Sequence, residues 1–279
     1  TGWYCSKTFG SGSYFLLPVS CYKVNSGTGN DDPMESENIF VPSRCPHHGK
    51  ALVTGAGSGI GRAVASALCH AGYHVILVGR KSIPLNLLAD QLGKDVTTVC
   101  PIDITDEDAL PALIRNIESL DVLIHSAGMF HGGLISEISN DMNILLHHVN
   151  VDAPLCLSNL LLPALETAGG QVVFLNSTAS LGERVSMDAY AASKQALKQG
   201  VSRFREESRG RGIRILNVYP GRTATPMQSE VLRHEGRSDM RIPLLQPKDI
   251  ADVILGCLFV PRSAEITDIV IRPPDLPRD

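Results

Sequence analysis

A serine, a tyrosine and a lysine in the second half of the chain have a spacing that suits proton transfer. Ser177 lies in LNSTAS, thirteen positions before Tyr190, and Lys194 follows the tyrosine by four positions in YAASK. Positions i and i+4 share one helix face, so the ammonium of Lys194 can stabilise the phenolate of Tyr190. A phenol with an ordinary pKa of about 10 then becomes usable as an acid or base near neutral pH. We therefore predict that the three side chains frame one reacting C–O bond, with Ser177 hydrogen-bonded to the substrate oxygen.

Each of these patterns also has a structural interpretation. A tyrosine and a lysine at this spacing are often a solvated pair on a helix surface, and Thr178 offers a second hydroxyl beside Ser177. An asparagine such as Asn150 often caps a helix. The chemical interpretation depends on finding a binding site for a reactive partner elsewhere in the chain.

A glycine-rich segment, TGAGSGIG from Thr54 to Gly61, provides such a site. Glycines between a strand and a helix allow a tight turn and let a pyrophosphate approach the amides at the helix N-terminus. The spacing fits neither G-x-G-x-x-G nor a P-loop, and leaves T-G-x-x-x-G-x-G through Gly55, Gly59 and Gly61. The alternative is a glycine-rich turn that binds nothing.

Short apolar runs alternate with longer amphipathic stretches from Lys50 onward, which predicts repeated βαβ units. The expected fold class is α/β, a doubly wound Rossmann fold whose seven-stranded parallel sheet has helices on both faces. Ligands of such sheets bind outside the carboxyl ends of the strands, where the strand order reverses. The runs are ALVTG, HVILVG, TVCPID, DVLIHSAG, QVVFLNS, RILNVYPG and TDIVIRP.

The beginning of the chain differs in composition from the rest. Residues 1–46 are rich in Gly, Ser, Asn, Asp and Pro, which predicts a disordered N-terminal extension, and residues 47–279 are expected to form a single domain. The part before Met34 contains Asp31 and Asp32 and no arginine, unlike a typical transit peptide. We expect a cytoplasmic protein, and organellar import stays open.

Composition argues against several functional classes. A net charge of -4 gives no basic surface for nucleic acid, and no apolar run approaches the about 18–20 residues needed for membrane insertion. The seven cysteines are scattered and include no C-x-x-C pair, which argues against a disulfide framework and against a zinc site. The histidine pairs at 47–48 and 147–148 have no carboxylate or cysteine at ligand spacing, so we predict no metal site.

Several motifs, in order, give the chain from Lys50 onward a resemblance to the short-chain dehydrogenase/reductase family. TGAGSGIG is similar to the family's cofactor loop and YAASK to its Y-x-x-x-K motif. DIT at 103–105 resembles its adenine contact, and HSAG at 125–128 resembles its N-A-G turn, with Ser126 in place of the usual asparagine. NVDAP from Asn150 resembles the segment of the catalytic asparagine, and YPGRTAT from Tyr219 resembles the P-G motif.

The resemblance implies catalytic roles for Ser177, Tyr190, Lys194 and Asn150. Lys194 would also hydrogen-bond the nicotinamide ribose, and Asn150 would hold a water that relays protons. It further implies a homodimer or homotetramer, through the helices that begin near Asn143 and Asp188. The cofactor-binding residues that it implies are Thr54, Gly55, Ser58, Gly59, Ile60, Gly61, Arg80, Lys81, Asp103, Ile104, Ser126, Ala127, Gly128, Tyr190, Lys194, Pro220, Gly221 and Thr223.

The end of the second apolar run indicates which nicotinamide cofactor is used. Gly79 stands where an NAD enzyme would carry an acidic residue, and Arg80 and Lys81 follow. A guanidinium can bind a 2′-phosphate bidentately, so the sequence favours NADP(H) over NAD(H). Alternatively Arg80 stacks on the adenine and both cofactors are accepted. Asp103 either contacts the adenine amino group or caps a turn.

The segment after the P-G motif bears on the substrate. Its apolar residues form either an adaptable lid for a nonpolar carbonyl compound or part of the core. Arg222 and Arg233 either meet an acidic substrate group or lie at the surface. His131 either contacts substrate or lies on a loop surface. The apolar residues are Met227, Leu232, Met240, Ile242, Leu244 and Leu245.

These observations predict an NADP(H)-dependent oxidoreductase acting on CH–OH or C=O groups of a small nonpolar substrate, with Tyr190 as acid/base. A non-catalytic NADP(H)-binding redox sensor or scaffold is the alternative, although a pure binder has no need of Tyr190. A nucleotide-sugar epimerase or dehydratase usually needs an added substrate domain, and the 60 residues after Tyr219 are too few for one.

Overall fold

The computed structural model of the chain describes residues 49–182, 189–236 and 243–274. Seven strands form one sheet in which every neighbouring pair is parallel. The strands are β1 (Lys50–Thr54), β2 (His74–Gly79), β3 (Thr97–Pro101), β4 (Val122–His125), β5 (Gln171–Leu175), β6 (Arg214–Pro220) and β7 (Asp268–Ile271). Their order, β3-β2-β1-β4-β5-β6-β7, confirms the predicted doubly wound parallel sheet.

Helices cover both faces of this sheet. They are α1 (Gly59–His70), α2 (Ser82–Leu92), α3 (Leu110–Ile114), α4 (Asn140–His147), α5 (Ala153–Leu160), α6 (Leu162–Ala168), α7 (Ala189–Glu207), α8 (Pro226–His234) and α9 (Pro247–Leu258). A π-helical turn at His148–Asp152 joins α4 to α5, and a 3₁₀ turn at Thr178–Leu181 follows β5.

Two apolar cores lie on opposite faces of the sheet. Successive side chains of a strand point to opposite faces, so Ala51 and Val53 join one core while Leu52 joins the other. Val64 and Ile254, from α1 and α9, belong to the first core. The second core contains residues of α5 and α7. Because the central strands are buried on both faces, their sequences are continuous apolar runs rather than alternating ones.

The strand order reverses between β1 and β4, and this is the feature that positions a ligand site. The chain passes outward from β1 to β2 and β3 and then returns to β4 on the other side of β1. At the carboxyl end of β1, Thr54 therefore pairs with Val78 on one side and His125 on the other. The loops after these strands diverge there and leave a crevice.

Some predictions fall outside the described residues: the disordered extension over 1–46, the His47–His48 pair, Met240 and Ile242. Within the described ranges, no helix combines the length and the apolar character that crossing a bilayer requires.

The second histidine pair has a neighbour that sequence spacing did not reveal. The Asp152 carboxylate lies 3.2 Å from Nδ1 of His147 and 3.6 Å from Nδ1 of His148. The expectation that no carboxylate approaches this pair is wrong, because the wide π-helical turn brings positions i+4 and i+5 to one side. Even so, no cluster of three or more histidine, cysteine or acidic side chains suited to a metal occurs in the parts of the chain that the structure describes.

Candidate functional site

A cavity of about 710 Å³ lies at the carboxyl edge of the sheet, in the crevice where the strand order reverses. The predicted site residues that line it are Gly55, Ser58, Gly59, Ile60, Arg80, Asp103, Ile104, Ser126, Ala127, Gly128, Ser177, Tyr190, Lys194, Pro220, Gly221 and Thr223. The lining of the cavity does not include Thr54, Gly61, Lys81 or Asn150. Most of the predicted residues are thus brought to one space, although they come from seven separate segments of the chain.

The glycine-rich turn after β1 is pressed against the turn after β4. Gly55 has φ +70°, and a Cβ there would come within 2.8 Å of the backbone nitrogen of Ala127. A Cβ at Gly61 would overlap the carbonyl oxygen of Gly55 and lie 3.0 Å from Oγ of Ser126. The backbone itself therefore forms this wall. The first amides of α1, which begins at Gly59, are placed to bind an anion.

Thr54 supports this wall from behind. Its side chain is fully buried, and its hydroxyl donates to the carbonyl oxygen of Ile124 at 3.4 Å. The same oxygen accepts hydrogen bonds from the backbone N–H groups of Ser126 at 3.2 Å and Ala127 at 3.1 Å. Thr54 thus ties the end of β1 to the end of β4, so the structure places it under the turns rather than in the cavity.

The rim near β2 and β3 carries the residues expected to contact the adenosine. Arg80 is exposed and lines the cavity, whereas Lys81 is exposed and is not part of its lining. Oδ1 of Asp103 accepts from the N–H of Thr105 at 3.0 Å and from its hydroxyl at 2.8 Å. The turn-capping role of Asp103 is therefore present, and the same residue also lines the cavity.

Ser177 and Tyr190 both line the cavity, Ser177 shortly after β5 and Tyr190 near the start of α7. Ser177 follows β5 by two residues and caps the 3₁₀ turn, where its Oγ accepts from the N–H of Ala179 at 3.1 Å. Because that oxygen is already an acceptor, its proton can be donated to another group. Tyr190 lies in the first turn of α7, and its ring meets the ring of Phe130 edge-on at a centroid distance of 5.3 Å.

Lys194 lies one turn after Tyr190 on α7 and lines the same cavity. Its side chain is 5% exposed, and Nζ donates to the carbonyl oxygen of Leu175 at 3.0 Å. Burial disfavours the charged form and lowers the pKa of Lys194 from 10.5 to about 8. A Cβ on Gly128 would lie 3.7 Å from this Nζ and 3.1 Å from Oδ1 of Asn150, so the glycine leaves room for both groups.

Asn150 is buried in the π-helical turn and holds two other segments together. Its Oδ1 accepts from the N–H of Met129 at 2.9 Å, and its Nδ2 donates to the carbonyl oxygen of Met129 and to Oγ of Ser193, both at 3.0 Å. Both amide hydrogens are committed, which joins the loop after β4 to α7 next to Lys194. The side chain is a bridge behind the wall of the cavity.

Sequence reasoning missed most of the wall formed by α4, α8 and the loop after β4. Phe130, Leu145, Thr225, Val231, His234 and Glu235 all line the cavity. Thr225 caps α8 by accepting from the N–H of Gln228 at 3.2 Å, and its Cγ2 is 3.1 Å from where a Cβ on Gly59 would lie. The helix therefore begins directly opposite the glycine-rich turn. The signal for this face was the i, i+4, i+7 spacing of Met227, Val231 and His234.

The residues considered for substrate contact divide between cavity and core. Met227 lines the cavity, whereas Leu232 and Leu245 are buried, and Leu245 belongs to the core beneath the sheet. Arg222 lines the cavity and donates to Glu235 at 2.6 Å. Leu244 is half-buried, Arg233 is exposed and His131 is half-buried, and all three lie outside the lining.

Comparisons with known proteins agree with the observed fold. The family model described as short chain dehydrogenase matches residues 49–236. An uncharacterized oxidoreductase of Staphylococcus aureus (strain USA300) is 29% identical over 228 residues, which cover 80% of this chain and 96% of that protein. A metagenomic short-chain oxidoreductase solved with NADP has 26% identity and a TM-score of 0.69, covering 83% of this chain and 99% of its own. The closed form of serine dehydrogenase with NADP⁺ has 21% identity and a TM-score of 0.73, covering 80% and 94%.

Proposed function

The chain belongs to the short-chain dehydrogenase family of oxidoreductases, and on that premise we propose that it moves hydride between NADP(H) and the carbonyl or carbinol carbon of a small apolar substrate. One observation carries the proposal. Tyr190 and the buried Lys194, one turn apart on α7, line the same cavity as the glycine-rich turn of Gly55 and Gly59. A proton-transfer group and a turn suited to a dinucleotide thus line the same cavity.

The residues of the cavity fit a nicotinamide dinucleotide. The turn through Gly55, Gly59 and Gly61 brings bare backbone to the wall, and the open amides of α1 suit a pyrophosphate. Arg80 at the rim would meet the adenosine end, with Asp103 beside it. When bound, the nicotinamide supplies or accepts the hydride.

The chain's own residues would handle the proton. Ser177 donates its free hydroxyl proton in a hydrogen bond to the substrate oxygen and orients it. Tyr190 gives its proton to that oxygen in reduction and takes one from it in oxidation. Lys194 stabilises the phenolate electrostatically, since a charge acts strongly in a buried site. Asn150 fixes the helix that carries both groups, and the relay water that the family resemblance assigns to it stays a prediction.

Cofactor choice and substrate polarity rest on two features of the wall. Arg80 follows β2 and would attract a 2′-phosphate, and Gly79, at the end of that strand, supplies no carboxylate that would repel it. At the other end, the wall includes Leu145, Val149, Met227 and Val231. These aliphatic side chains favour an apolar substrate over a strongly hydrated one.

The buried ammonium argues against a purely binding protein. Placing Lys194 at 5% exposure costs free energy, as its lowered pKa shows, and in a sensor that only binds dinucleotide this cost would be offset only by the ribose hydrogen bond that the resemblance implies. A proton-transfer site does gain from it, because the same charge lowers the pKa of a neighbouring phenol.

Assembly, domain extent and location stay predictions. The face of α4 leaves Ile144 58% exposed, which suits the homodimer or homotetramer that the resemblance implies. The assignment of 47–279 to a single domain and the cytoplasmic location are carried forward on the same basis.

The experiment that tests the function is a spectrophotometric assay of NADPH and NADH oxidation against aldehydes, ketones and quinones. We expect faster turnover with NADPH, and a loss of about 10²–10⁴-fold in kcat for Tyr190→Phe, since general acid–base catalysis is worth that much. Ser177→Ala should lose activity as well, whereas the matched variant Thr178→Ala, at the neighbouring hydroxyl, should lose far less.

The failures of this assay separate the alternatives. NADPH binding without turnover of any compound would favour the sensor or scaffold. Absence of binding by either nucleotide would show that the cofactor assignment to Gly55, Gly59 and Arg80 is wrong. Equal turnover with NADH, unchanged by Arg80→Gln, would show that Arg80 does not read the 2′-phosphate.

A further inference from the structure

The cavity is lined by aromatic rings next to the proton-transfer group. Phe130 meets Tyr190 at a centroid distance of 5.3 Å with 66° between the ring planes. Phe130 also approaches His234, at a centroid distance of 6.1 Å with 70° between the planes. Phe130, Tyr190 and His234 all line the cavity, and we call these three rings the aromatic slot.

The backbone holds the outer ring of the slot in place. A Cβ on Gly132 would overlap the ring of His234, so the imidazole occupies the space that only a glycine leaves open. His234 comes from the end of α8 and Gly132 from the loop after β4. The slot is therefore closed by contact between two segments that are separate in the chain.

The three rings border the same space without stacking on one another. In an edge-to-face pair, the hydrogens of one ring approach the negative face of the other, and both contacts of Phe130 have this geometry. The lining also includes aliphatic side chains, among them Leu145, Met227 and Val231. A flat π-system would find both ring contacts and apolar area here, whereas a saturated ring would find only the apolar area.

Charge at this end of the cavity favours a neutral ligand. Arg222 is paired with Glu235 at 2.6 Å, and both line the cavity. Nη2 of Arg222 makes this contact, whereas Nη1 is buried and has no hydrogen-bond partner among the described residues. The pair is neutral overall, so it offers no net positive charge to an acidic substrate.

We propose that the substrate carries an aryl group on its reacting carbonyl or carbinol carbon, and that Phe130 and His234 select for it. The proposal rests on the proposed function. Because Phe130 touches the ring of Tyr190, a group that contacts Phe130 is attached at or next to the carbon whose oxygen Tyr190 protonates. In reduction, that carbon gains a hydride from the nicotinamide, which is oxidised, and the oxygen gains a proton, giving an aryl carbinol.

The test compares substrates that share a carbon skeleton and differ in aromaticity. The pairs are benzaldehyde with cyclohexanecarbaldehyde, and acetophenone with cyclohexyl methyl ketone. Intrinsic reactivity differs within each pair, so the informative quantity is the aryl-to-cyclohexyl ratio of kcat/KM in a variant relative to wild type. Intrinsic reactivity cancels in that comparison.

We expect the aryl-to-cyclohexyl ratio to fall about two- to tenfold in Phe130→Leu, the range that an aromatic pair contributes beyond its area. His234→Leu should lower it in the same direction by less, since its centroid distance is longer. Phe130→Tyr keeps a ring and should keep the ratio. Met227→Leu is the matched control, because it changes an aliphatic side chain of the same cavity without removing a ring.

A Phe130→Leu enzyme that is active with an unchanged ratio would overturn the proposal, since Phe130 would then only fill space. If Phe130→Leu is inactive, equilibrium binding of benzyl alcohol and cyclohexylmethanol to the wild-type protein loaded with NADP⁺ decides. Equal binding, or binding of neither, shows that the aryl assignment is wrong. These outcomes differ from failure of the proposed function, in which no carbonyl compound is reduced in a Tyr190-dependent way.

Discussion

The two ends of the cavity are built in different ways. The end proposed for the dinucleotide is formed by backbone, where Gly55 and Gly61 are pressed against the turn of Ser126 and Ala127. The end proposed for the substrate is formed by side chains of α8 and the loop after β4, such as Phe130. A wall made of backbone atoms cannot be altered by exchanging side chains, whereas a wall made of side chains can be repacked by substitution. The same fold can therefore keep one ligand and vary the other.

The largest effect should come from adding one methyl group to the backbone end. In Gly61→Ala the new Cβ overlaps the carbonyl oxygen of Gly55, which is anchored at the end of β1. We expect a loss of at least about 3 kcal/mol in the free energy of unfolding, with loss of NADPH binding. Urea denaturation and fluorescence titration measure the two quantities.

Gly256→Ala on α9 is the matched control for that variant. None of the described atoms lies within 4 Å of a Cβ there, and the residue is exposed. Alanine should stabilise this helix by up to about 1 kcal/mol. If Gly61→Ala is as stable as wild type, the backbone end of the cavity can adjust to an added methyl group, as the side-chain end can.

Lys194 lies between the two ends, and its burial should make stability depend on pH. Its folded pKa of about 8 is below the ordinary 10.5, so between these values the unfolded chain binds the proton more readily. Wild-type stability should therefore rise as pH increases from 8 to 10.5, with the full penalty present below pH 8. In Lys194→Met this rise should be absent.

We expect the free energy of unfolding of Lys194→Met to exceed that of wild type. This excess should shrink by up to about 3 kcal/mol as the pH rises from 8 to 10.5. Urea denaturation at a series of pH values measures it. Lys198→Met, at an exposed lysine one turn further along α7, should follow the wild-type pH dependence. Parallel curves for wild type and Lys194→Met would contradict the lowered pKa.

Thr54 tests whether the backbone end needs its support. Thr54→Val keeps the shape but removes the hydroxyl, which leaves the N–H groups of Ser126 and Ala127 without their acceptor. We expect a loss of about 1–3 kcal/mol, the cost of buried donors without partners. Thr54→Ser keeps the hydroxyl and should cost about 1 kcal/mol for the lost methyl. A serine variant less stable than the valine variant would show that packing, not hydrogen bonding, holds this wall.

The smallest effect should come from the charged pair at the side-chain end. Arg222 and Glu235 have about a third of their side-chain surface exposed, at 33% and 29%, so solvent screens their attraction. Glu235→Gln should change the free energy of unfolding by less than about 1 kcal/mol. Glu230→Gln, exposed on the same helix, is the control, and urea denaturation at low and high salt measures both. A loss of several kcal/mol would mean that the pair holds α8 in place, and that this end is not easily repacked.

Local patterns in the sequence determined the sheet and the positions of its ligand loops. All seven predicted apolar runs overlap observed strands, because buried parallel strands need continuous apolar sequence. The glycine spacing of Thr54–Gly61 and the four-residue step from Tyr190 to Lys194 are local as well, and each depends only on one turn or one helix. The right-handed connection of a βαβ unit fixes the face of the sheet on which its helix packs.

Only the tertiary structure decided which side of a wall each residue occupies and which distant segments meet. Thr54 and Asn150 are motif residues, yet their hydrogen bonds place them behind the cavity. Phe130 and His234 are more than one hundred positions apart, and neither belongs to a motif. Their contact depends on how α8 packs across the end of the sheet. Periodicity gives the inward face of a helix, but the neighbour of that face is set by packing between elements, which no local pattern encodes.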